Sequence, residues 1–245
     1  MLAKVIHIQE TDSTNNYLKQ LLSEKRLAEG TIVFSCYQTA GKGQQGGNTW
    51  ESDRGGENLL FSIVLYPQII KASEQFIISQ AISLGVADFL NVYTDDISIK
   101  WPNDIYWRDK KICGILIENA LQENLIKESV CGIGININQK EFRSNAPNPV
   151  SLTQITGRSY SLESMQNEVH SKIMMRYLQM MGGGISQIRD EYKQCLFHRS
   201  GYHLYNNGET DFRARIKDIE TNGRLVLEAE DGMLYRFAFK EVRYK

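Results

Sequence analysis

The sequence predicts an α+β protein in two parts. Through the first 198 residues, long apolar repeats at helical spacing stand between short apolar or β-branched runs. After about residue 201 the pattern changes to four short strands, separated by hairpin signals such as Asn222-Gly223 and Asp231-Gly232. We therefore expect a large domain over residues 1–198 and a small β-barrel or SH3-like domain over 199–245.

The first part contains a run of predicted strands and helices in sequence order. Side-chain oxygens at 12–14 can accept the free N–H groups of a first helix, which ends before Gly30. Further helices are predicted over 73–92, 161–181 and 185–197. Strands are predicted over 5–9, 31–37, 58–66, 97–101, 105–107, 111–121 and 125–137, and the last three of these are expected to form a β-meander.

Composition and charge exclude several classes of protein. The chain has 245 residues, of which 42% are hydrophobic and 23% charged, and its net charge is −1. These values are typical of a soluble globular protein without a basic nucleic-acid surface. No run reaches the ~18 apolar residues of a membrane span, and the short apolar N-terminus is unlike a signal peptide. We expect a cytoplasmic protein that binds neither nucleic acid nor membrane, with no helix-turn-helix domain before the first strand.

The cysteines and histidines show no metal-site spacing. Cys36, Cys113, Cys131 and Cys195 form no C-x-x-C pair, and the first three lie in apolar runs. We expect the cysteines to be reduced core residues. The four histidines form no H-E-x-x-H pattern, so a metal site built from His and Cys is not expected.

Residues 39–57 form a long predicted loop, in which Gly41, Gly43 and Gly46 match G-x-G-x-x-G. A dinucleotide-binding fold needs a helix directly after that fingerprint, and residues 48–58 have no helical pattern. Glycines beside Lys42 are typical of contact with an anion, because backbone N–H groups approach phosphate or carboxylate oxygens where no Cβ blocks them. A flexible surface loop is the alternative interpretation.

The run at 100–104 and the strand that follows it carry polar groups beside apolar ones. The amide of Asn103 can read an adenine edge, and the carboxylate of Asp104 can hold a ribose hydroxyl, Mg²⁺ or a lysine. A strand that ends in an Asn-Asp turn is the simpler interpretation. Lys111 begins an apolar strand, where an ammonium group needs a negative partner unless it caps an exposed strand end.

Gly132 and Gly134 stand two residues apart in a predicted strand. One face of that strand therefore has no side chains there. It is open to a flat ligand or, alternatively, to close packing of a neighbouring strand.

Together these segments resemble biotin protein ligases, in their order and in their spacing, over nearly the whole chain. The segments are Ser13-Thr14-Asn15, Gln38-Thr39-Ala40-Gly41-Lys42-Gly43, Lys100-Trp101-Pro102-Asn103-Asp104, Lys111-Ile112-Cys113-Gly114-Ile115-Leu116-Ile117-Glu118 and Gly132-Ile133-Gly134-Ile135-Asn136. The resemblance implies a mixed β-sheet flanked by helices on one side, related to class II aminoacyl-tRNA synthetases, and then an SH3-like β-barrel. The implied activity is ATP-dependent formation of biotinyl-5′-AMP, with Mg²⁺, and transfer of biotin to a lysine of a biotin carboxyl carrier domain.

The resemblance also implies which residues form the site. Lys111 and Lys42 are implied to be the catalytic cations. Those implied to contact biotin are Ser13, Thr14, Asn15, Gln38, Gly41, Lys42, Gly43, Gln44, Lys111, Gly114, Leu116, Gly132 and Gly134. Those implied to contact ATP or the adenylate are Lys42, Trp50, Lys100, Asn103, Asp104, Lys111 and Asn136, with Mg²⁺ near Asn136.

The glycine-rich loop departs from the family pattern. Relatives carry arginines where this chain has Lys42, Gln44 and Gln45, and the spacing to Trp50 is one residue longer. Arginine makes two-pronged contacts that lysine and glutamine cannot, so we expect weaker retention of the adenylate. A lipoate or octanoate ligase or transferase of the same fold, and a non-enzymatic biotin sensor, are the alternatives. The sequence leaves open which carboxylase is the acceptor and whether the chain is a monomer or a homodimer.

Overall fold

The computed structural model describes residues 3–41, 43, 50–52, 54–143 and 148–245. Up to residue 135 the elements are β1 Val5–Thr11, α1 Thr14–Glu24, β2 Ile32–Gln38, β3 Leu59–Leu65, a 3₁₀ turn at Ala72–Glu74, α2 Phe76–Leu90, β4 Ile97–Lys100, β5 Asp104–Trp107, β6 Lys110–Gln122 and β7 Leu125–Ile135. They are followed by α3 Leu152–Thr156, α4 Leu162–Met181, α5 Ile185–Gln194, β8 His203–Asn206, β9 Asp211–Ile219, β10 Leu225–Ala229, β11 Leu234–Phe237 and β12 Arg243–Tyr244.

Seven strands form the main sheet in the order β1-β2-β3-β7-β6-β5-β4. β1 pairs with β2 in parallel, and all the other neighbours are antiparallel. The sheet is therefore mixed, and the α+β prediction is confirmed. The predicted β-meander is extended by β4, so that four strands follow one another from the sheet edge to its middle.

Helices cover both faces of this sheet. Neighbouring residues of a strand point to opposite faces. In β3, Val64 packs with Leu18 of α1, while Ile63 packs in the larger core with α2, α4 and α5. The expectation of helices on one side is therefore wrong for α1. This first helix has its own apolar face, and that face is buried against the side of the sheet that the other helices leave open.

Three local expectations differ from the structure. The short helix α3 was not predicted, although Ser151 and Gln154 form a capping box and Gly157 ends the helix with a φ of 72°. Strand β12 was not predicted either, because its two residues are too few for a pattern. Cys113 and Cys131 are buried as expected, but Cys36 is exposed, since β2 emerges from the core after Ser35.

The C-terminal part is a second, antiparallel sheet in the order β11-β10-β9-β8-β12. Its first four strands match the predicted ones. Trp101 attaches this sheet to the main one, because its Nε1 donates to the carbonyl of Gly223 at 2.9 Å. The division of domains after residue 198 stays a prediction. No helix in the described part of the chain has the length and apolar character that crossing a membrane requires.

We expect Gly85→Ala to destabilise the packing of α2 on α4. A methyl group at Gly85 would lie 2.7 Å from Cα of Ile173, so the two helices must separate. The free energy of unfolding should fall by about 1–3 kcal/mol, although alanine favours an isolated helix by about 1 kcal/mol.

Ser83→Ala on the same helix is the matched control, measured by the same chemical denaturation. Ser83 is fully buried, and its Oγ has no hydrogen-bond partner among the described residues. Its replacement should not lower stability. Equal unfolding midpoints for Gly85→Ala and the parent chain would contradict this account of the α2–α4 contact.

Candidate functional site

Three glycines on neighbouring strands leave an open area on the sheet. Gly114 of β6 lies directly opposite Gly134 of β7, and Gly132 is two residues away. A methyl group at Gly134 would lie 2.4 Å from Cε2 of Trp50, and one at Gly132 would lie 2.4 Å from Oδ1 of Asn15. We call Gly114, Gly132 and Gly134 the glycine floor. Side chains from outside the sheet approach it, rather than a neighbouring strand.

A cavity of about 150 Å³ lies beside the glycine floor. Most of the residues that the sequence assigned to a site line this cavity. The lining residues are Ser13, Thr14, Asn15, Gln38, Gly43, Trp50, Pro102, Asn103, Asp104, Lys111, Gly114, Ile115, Leu116, Gly132, Ile133, Gly134, Phe239 and Lys240.

The start of α1 forms a polar wall of the cavity. Oε1 of Gln38, the last residue of β2, accepts the backbone N–H of Thr14 at 2.8 Å and its hydroxyl at 3.1 Å. Ser13 makes no side-chain capping bond, contrary to the expectation that a side chain of residues 12–14 caps this helix. Because Oε1 of Gln38 is occupied, its Nε2 group is the donor that this side chain offers to a ligand.

A chain of hydrogen bonds fixes the polarity of that wall. Glu118 accepts from Asn15 Nδ2 at 2.7 Å, and its other oxygen lies 2.7 Å from Lys19 Nζ. A carboxylate only accepts, so the amide oxygen of Asn15 must face Ser62, whose hydroxyl donates to it at 2.6 Å. The single proton of Ser62 is shared with Oγ1 of Thr14 at 2.8 Å, and Thr14 donates its own proton to Gln38. The hydroxyl oxygen of Thr14 is therefore left as an acceptor.

Neither Ser62 nor Glu118 was assigned to the site from the sequence. Glu118 ends the lysine-led segment, so its presence in that segment was the available signal. Ser62 stands in a fully buried strand, where a single hydroxyl gives no signal of its own.

Lys111 and Asp104 form an ion pair at the cavity, with 2.7 Å between Nζ and Oδ2. Lys111 lies near the start of β6 and Asp104 at the start of the neighbouring strand β5. The side chain of Lys111 is only 25% exposed. The negative partner that the sequence required for this ammonium group is therefore present, and Lys111 does not extend into solvent.

Three predicted site residues of the described part of the chain do not line the cavity, namely Lys100, Asn136 and Gly41. Nζ of Lys100 lies 4.8 Å from the ring centre of Tyr106 and 4.9 Å from that of Tyr244, and burial lowers the pKa of this amine. Asn136 is buried, and its Nδ2 donates to the carbonyl of Val150 at 3.1 Å. Asn103 does line the cavity, while its Nδ2 donates to the carbonyl of Ile115 at 3.0 Å.

The glycine-rich loop is described in part. Lys42, Gln44 and Gln45 lie outside the described residues, so their predicted roles stay predictions. The N–H of Trp50 donates to the carbonyl of Gly41 at 2.9 Å, and a methyl group at Gly41 would lie 2.8 Å from the carbonyl oxygen of Trp50. Gly41 therefore allows the backbone of Trp50 to approach its own backbone closely, and it does not line the cavity.

Phe239 and Lys240 of the second sheet line the cavity and were not predicted to do so. No local pattern could indicate them, because their position depends on how the two sheets pack together. Among residues 3–41, 43, 50–52, 54–143 and 148–245, no group of three or more His, Cys, Asp or Glu side chains is arranged to hold a metal ion.

Comparisons with known proteins agree on one family. The model of the Biotin/lipoate A/B protein ligase family matches residues 7–136. The chain is 27% identical over 231 residues to the bifunctional ligase/repressor BirA of Bacillus spizizenii, an alignment that covers 92% of this chain and 70% of that protein. It is 25% identical over 234 residues to the biotin–[acetyl-CoA-carboxylase] ligase of Paracoccus denitrificans. That alignment covers 92% of this chain and 94% of the Paracoccus protein.

The fold is also found among solved structures. The biotin protein ligase of Aquifex aeolicus in complex with biotin and ATP has a TM-score of 0.80, at 24% identity and with complete coverage of both chains. At this identity the likeness shows a shared fold.

We expect Gly134→Ala to displace Trp50 from the glycine floor. The added methyl group would overlap the indole, whose buried Nε1 has no hydrogen-bond partner in the described part of the chain. Tryptophan emission should move to longer wavelength and acrylamide quenching should increase. The same substitution in a Trp50→Phe background should leave the emission unchanged, and an equal shift in that background would disprove the contact.

Proposed function

Because this chain belongs to the Biotin/lipoate A/B protein ligase family, we propose that it activates biotin with ATP to biotinyl-5′-AMP. We further propose that it transfers the biotin to a lysine of a biotin carboxyl carrier domain. The relatives named above are ligases, and the Paracoccus protein is named for acetyl-CoA carboxylase as its acceptor.

The observation that carries the proposal is one cavity with hydrogen-bonding groups of both kinds and a paired cation. Biotin has a cyclic urea at one end and a carboxylate at the other. Thr14 supplies an acceptor for a urea N–H and Gln38 a donor for the urea carbonyl. Lys111 supplies a positive charge for the carboxylate. A lipoyl or octanoyl group has no urea to use the polar wall.

The chemical step requires two anions to meet. The biotin carboxylate attacks the α-phosphorus of ATP, and the bond from that phosphorus to the pyrophosphate leaving group breaks. We assign Lys111 to offset the repulsion and to stabilise the charge that develops on the phosphoryl oxygens. The acceptor lysine, as a neutral amine, then attacks the biotinyl carbonyl and AMP leaves. No covalent intermediate on this chain is required.

The remaining predicted contacts divide into three groups. We propose that Ser13, Asn15, Gly43, Leu116 and the glycine floor surround biotin, and that Trp50, Asn103 and Asp104 lie beside the adenylate. The predicted contacts of Gly41, Lys100 and Asn136, which do not line the cavity, and those of Lys42 and Gln44, which lie outside the described residues, stay predictions. Mg²⁺ usually binds through one or two carboxylates together with substrate phosphates. Asp104 is the carboxylate in the described lining that could hold it with ATP, rather than Asn136.

We expect Lys111→Ala to abolish or severely reduce adenylate formation while the fold is kept. Incubation with ATP, biotin and a carrier domain, followed by mass measurement of the carrier, should show biotinylation by the parent chain. The variant should be slower by about 100-fold or more. Lys110→Ala removes the neighbouring exposed lysine, which does not line the cavity, and should retain full activity. Normal turnover in Lys111→Ala would refute the assignment.

We expect Glu118→Leu to weaken biotin binding without slowing the chemical step. It removes the acceptor that orients Asn15, so the hydroxyl polarity at Ser62 and Thr14 is no longer fixed. The KM for biotin should rise about tenfold, with kcat and the KM for ATP unchanged. Glu118→Gln keeps an acceptor oxygen and should restore most of the affinity. A fall in kcat at constant KM would contradict this role.

A further inference from the structure

The first strand of the main sheet has a free edge. In the described part of the chain β1 pairs with β2 alone. The strand at the opposite edge, β4, is covered: the N–H of Ile99 donates to the carbonyl of Cys195 at 2.8 Å, and its carbonyl accepts the N–H of Phe197 at 2.9 Å. A free edge offers unpaired N–H and C=O groups to another strand. One edge of the sheet is therefore protected and the other is available.

The backbone of β1 is suited to accept a further strand. The strand has seven residues, Val5–Thr11, and contains no proline, so it is neither short nor interrupted as protected edges often are. The carbonyl of Lys4 accepts the N–H of Ile32 at 2.9 Å. Because alternate residues of a strand turn their backbone groups to opposite sides, those of Val5 and His7 point away from β2. These groups are available to a strand beside β1.

The sequence of this strand is complementary to itself. When two copies of the strand are placed antiparallel with His7 opposite His7, Lys4 of one copy lies opposite Glu10 of the other. In the same arrangement Ile6 lies opposite Ile8. Residues directly opposite each other in an antiparallel pair are close enough for their side chains to interact. The pairing therefore joins opposite charges at both ends and apolar side chains between them.

Lys4 and Glu10 are available for these contacts. Both are exposed, and no ion pair of the described residues involves either of them. They stand on the face of β1 that carries Ile6 and Ile8, and these two side chains pack against the apolar cluster around Leu18 of α1. A register shifted by two residues in either direction would separate Lys4 from Glu10. Charge complementarity thus favours the arrangement centred on His7.

The other face of the same edge offers a place for an apolar side chain. A groove of about 190 Å³ lies between β1, β2, β3 and the start of α4, and its lining includes His7, Gln9, Phe34 and Leu162. Val5 stands on this face of β1 and is 46% exposed. In the antiparallel pair, Val5 of the second copy lies opposite Gln9 and therefore beside the groove. Pairing covers an exposed apolar side chain on each copy.

We propose that β1 is an interaction surface for a second copy of this chain, which pairs with it as an antiparallel strand centred on His7. The main sheets of the two copies then join into one sheet across a twofold axis, and the same contacts occur on both copies. None of residues 4–10 lines the cavity. Assembly through β1 is therefore independent of the proposed function, and its test does not use catalytic activity.

Charge reversal tests both the surface and the register. The parent chain should sediment as a dimer of twice the chain mass of 28.1 kDa at high concentration. Lys4→Glu puts a carboxylate opposite Glu10 at both ends of the pair, and Glu10→Lys puts an amine opposite Lys4. Either change should raise the dissociation constant of the dimer about tenfold or more. An equimolar mixture of the two variants should regain the dimer, because every contact across the axis then joins opposite charges.

Lys140→Glu is the matched control. Lys140 is also exposed and takes part in no ion pair of the described residues, but it lies outside β1. Its reversal changes the net charge by the same amount as Lys4→Glu and should leave the dissociation constant at the parent value. Equal weakening in these two variants would overturn the proposal, because a general change of net charge would then explain the effect.

A proline at position 7 tests the backbone contact. His7→Pro removes an N–H that points to the free edge and leaves the bonds between β1 and β2 in place. It should sediment as a monomer with the circular dichroism spectrum of the parent, whereas His7→Ala keeps the N–H and should remain a dimer. A parent chain that stays monomeric at every concentration reached would overturn the proposal. So would a dimer that neither the charge reversals nor His7→Pro weakens, since the copies would then meet through another surface.

Discussion

The site depends on the absence of side chains on one small area of the main sheet. Gly114, Gly132 and Gly134 leave space there that Trp50 and Asn15 partly occupy, and any Cβ on these glycines would overlap those groups. Strand interiors are weakened by glycine. The cost is tolerable here because β6 and β7 are long and pair through the middle of the sheet. The stability of the long hairpin thus permits a cavity at its centre.

Charge and hydrogen-bond polarity are set by different elements around this area. The start of α1 and the end of β2 provide Thr14 and Gln38, whose donor and acceptor roles follow from their bonds to each other and to Ser62. The starts of β5 and β6 provide the Asp104–Lys111 pair. A chemically asymmetric cavity fits a substrate with a neutral hydrogen-bonding ring and an anionic tail, which is the combination that biotin presents.

Sequence patterns predicted the strands and helices well where the periodicity is long, and they predicted the cavity residues that lie in contiguous motifs. Lys111 is the clearest case, since an ammonium group at the start of an apolar strand implied a negative partner. Lys100 was predicted to contact the nucleotide, but it lies among aromatic rings that include Tyr244 of the second sheet. The local sequence gives no information about how the two sheets pack together. Lys240 was missed for the same reason. Of the features that were missed, α3 had a usable local signal in the capping box of Ser151 and Gln154, and Glu118 had one in its place at the end of the lysine-led segment.

The position of bound biotin tests the central claim most directly. A crystal structure of this chain with biotin should show the urea ring within hydrogen-bonding distance of Thr14 and Gln38. The carboxylate should lie about 3 Å from Nζ of Lys111, with the bicyclic ring beside the glycine floor. Biotin bound outside the cavity, or bound with its carboxylate at Thr14, would contradict the account.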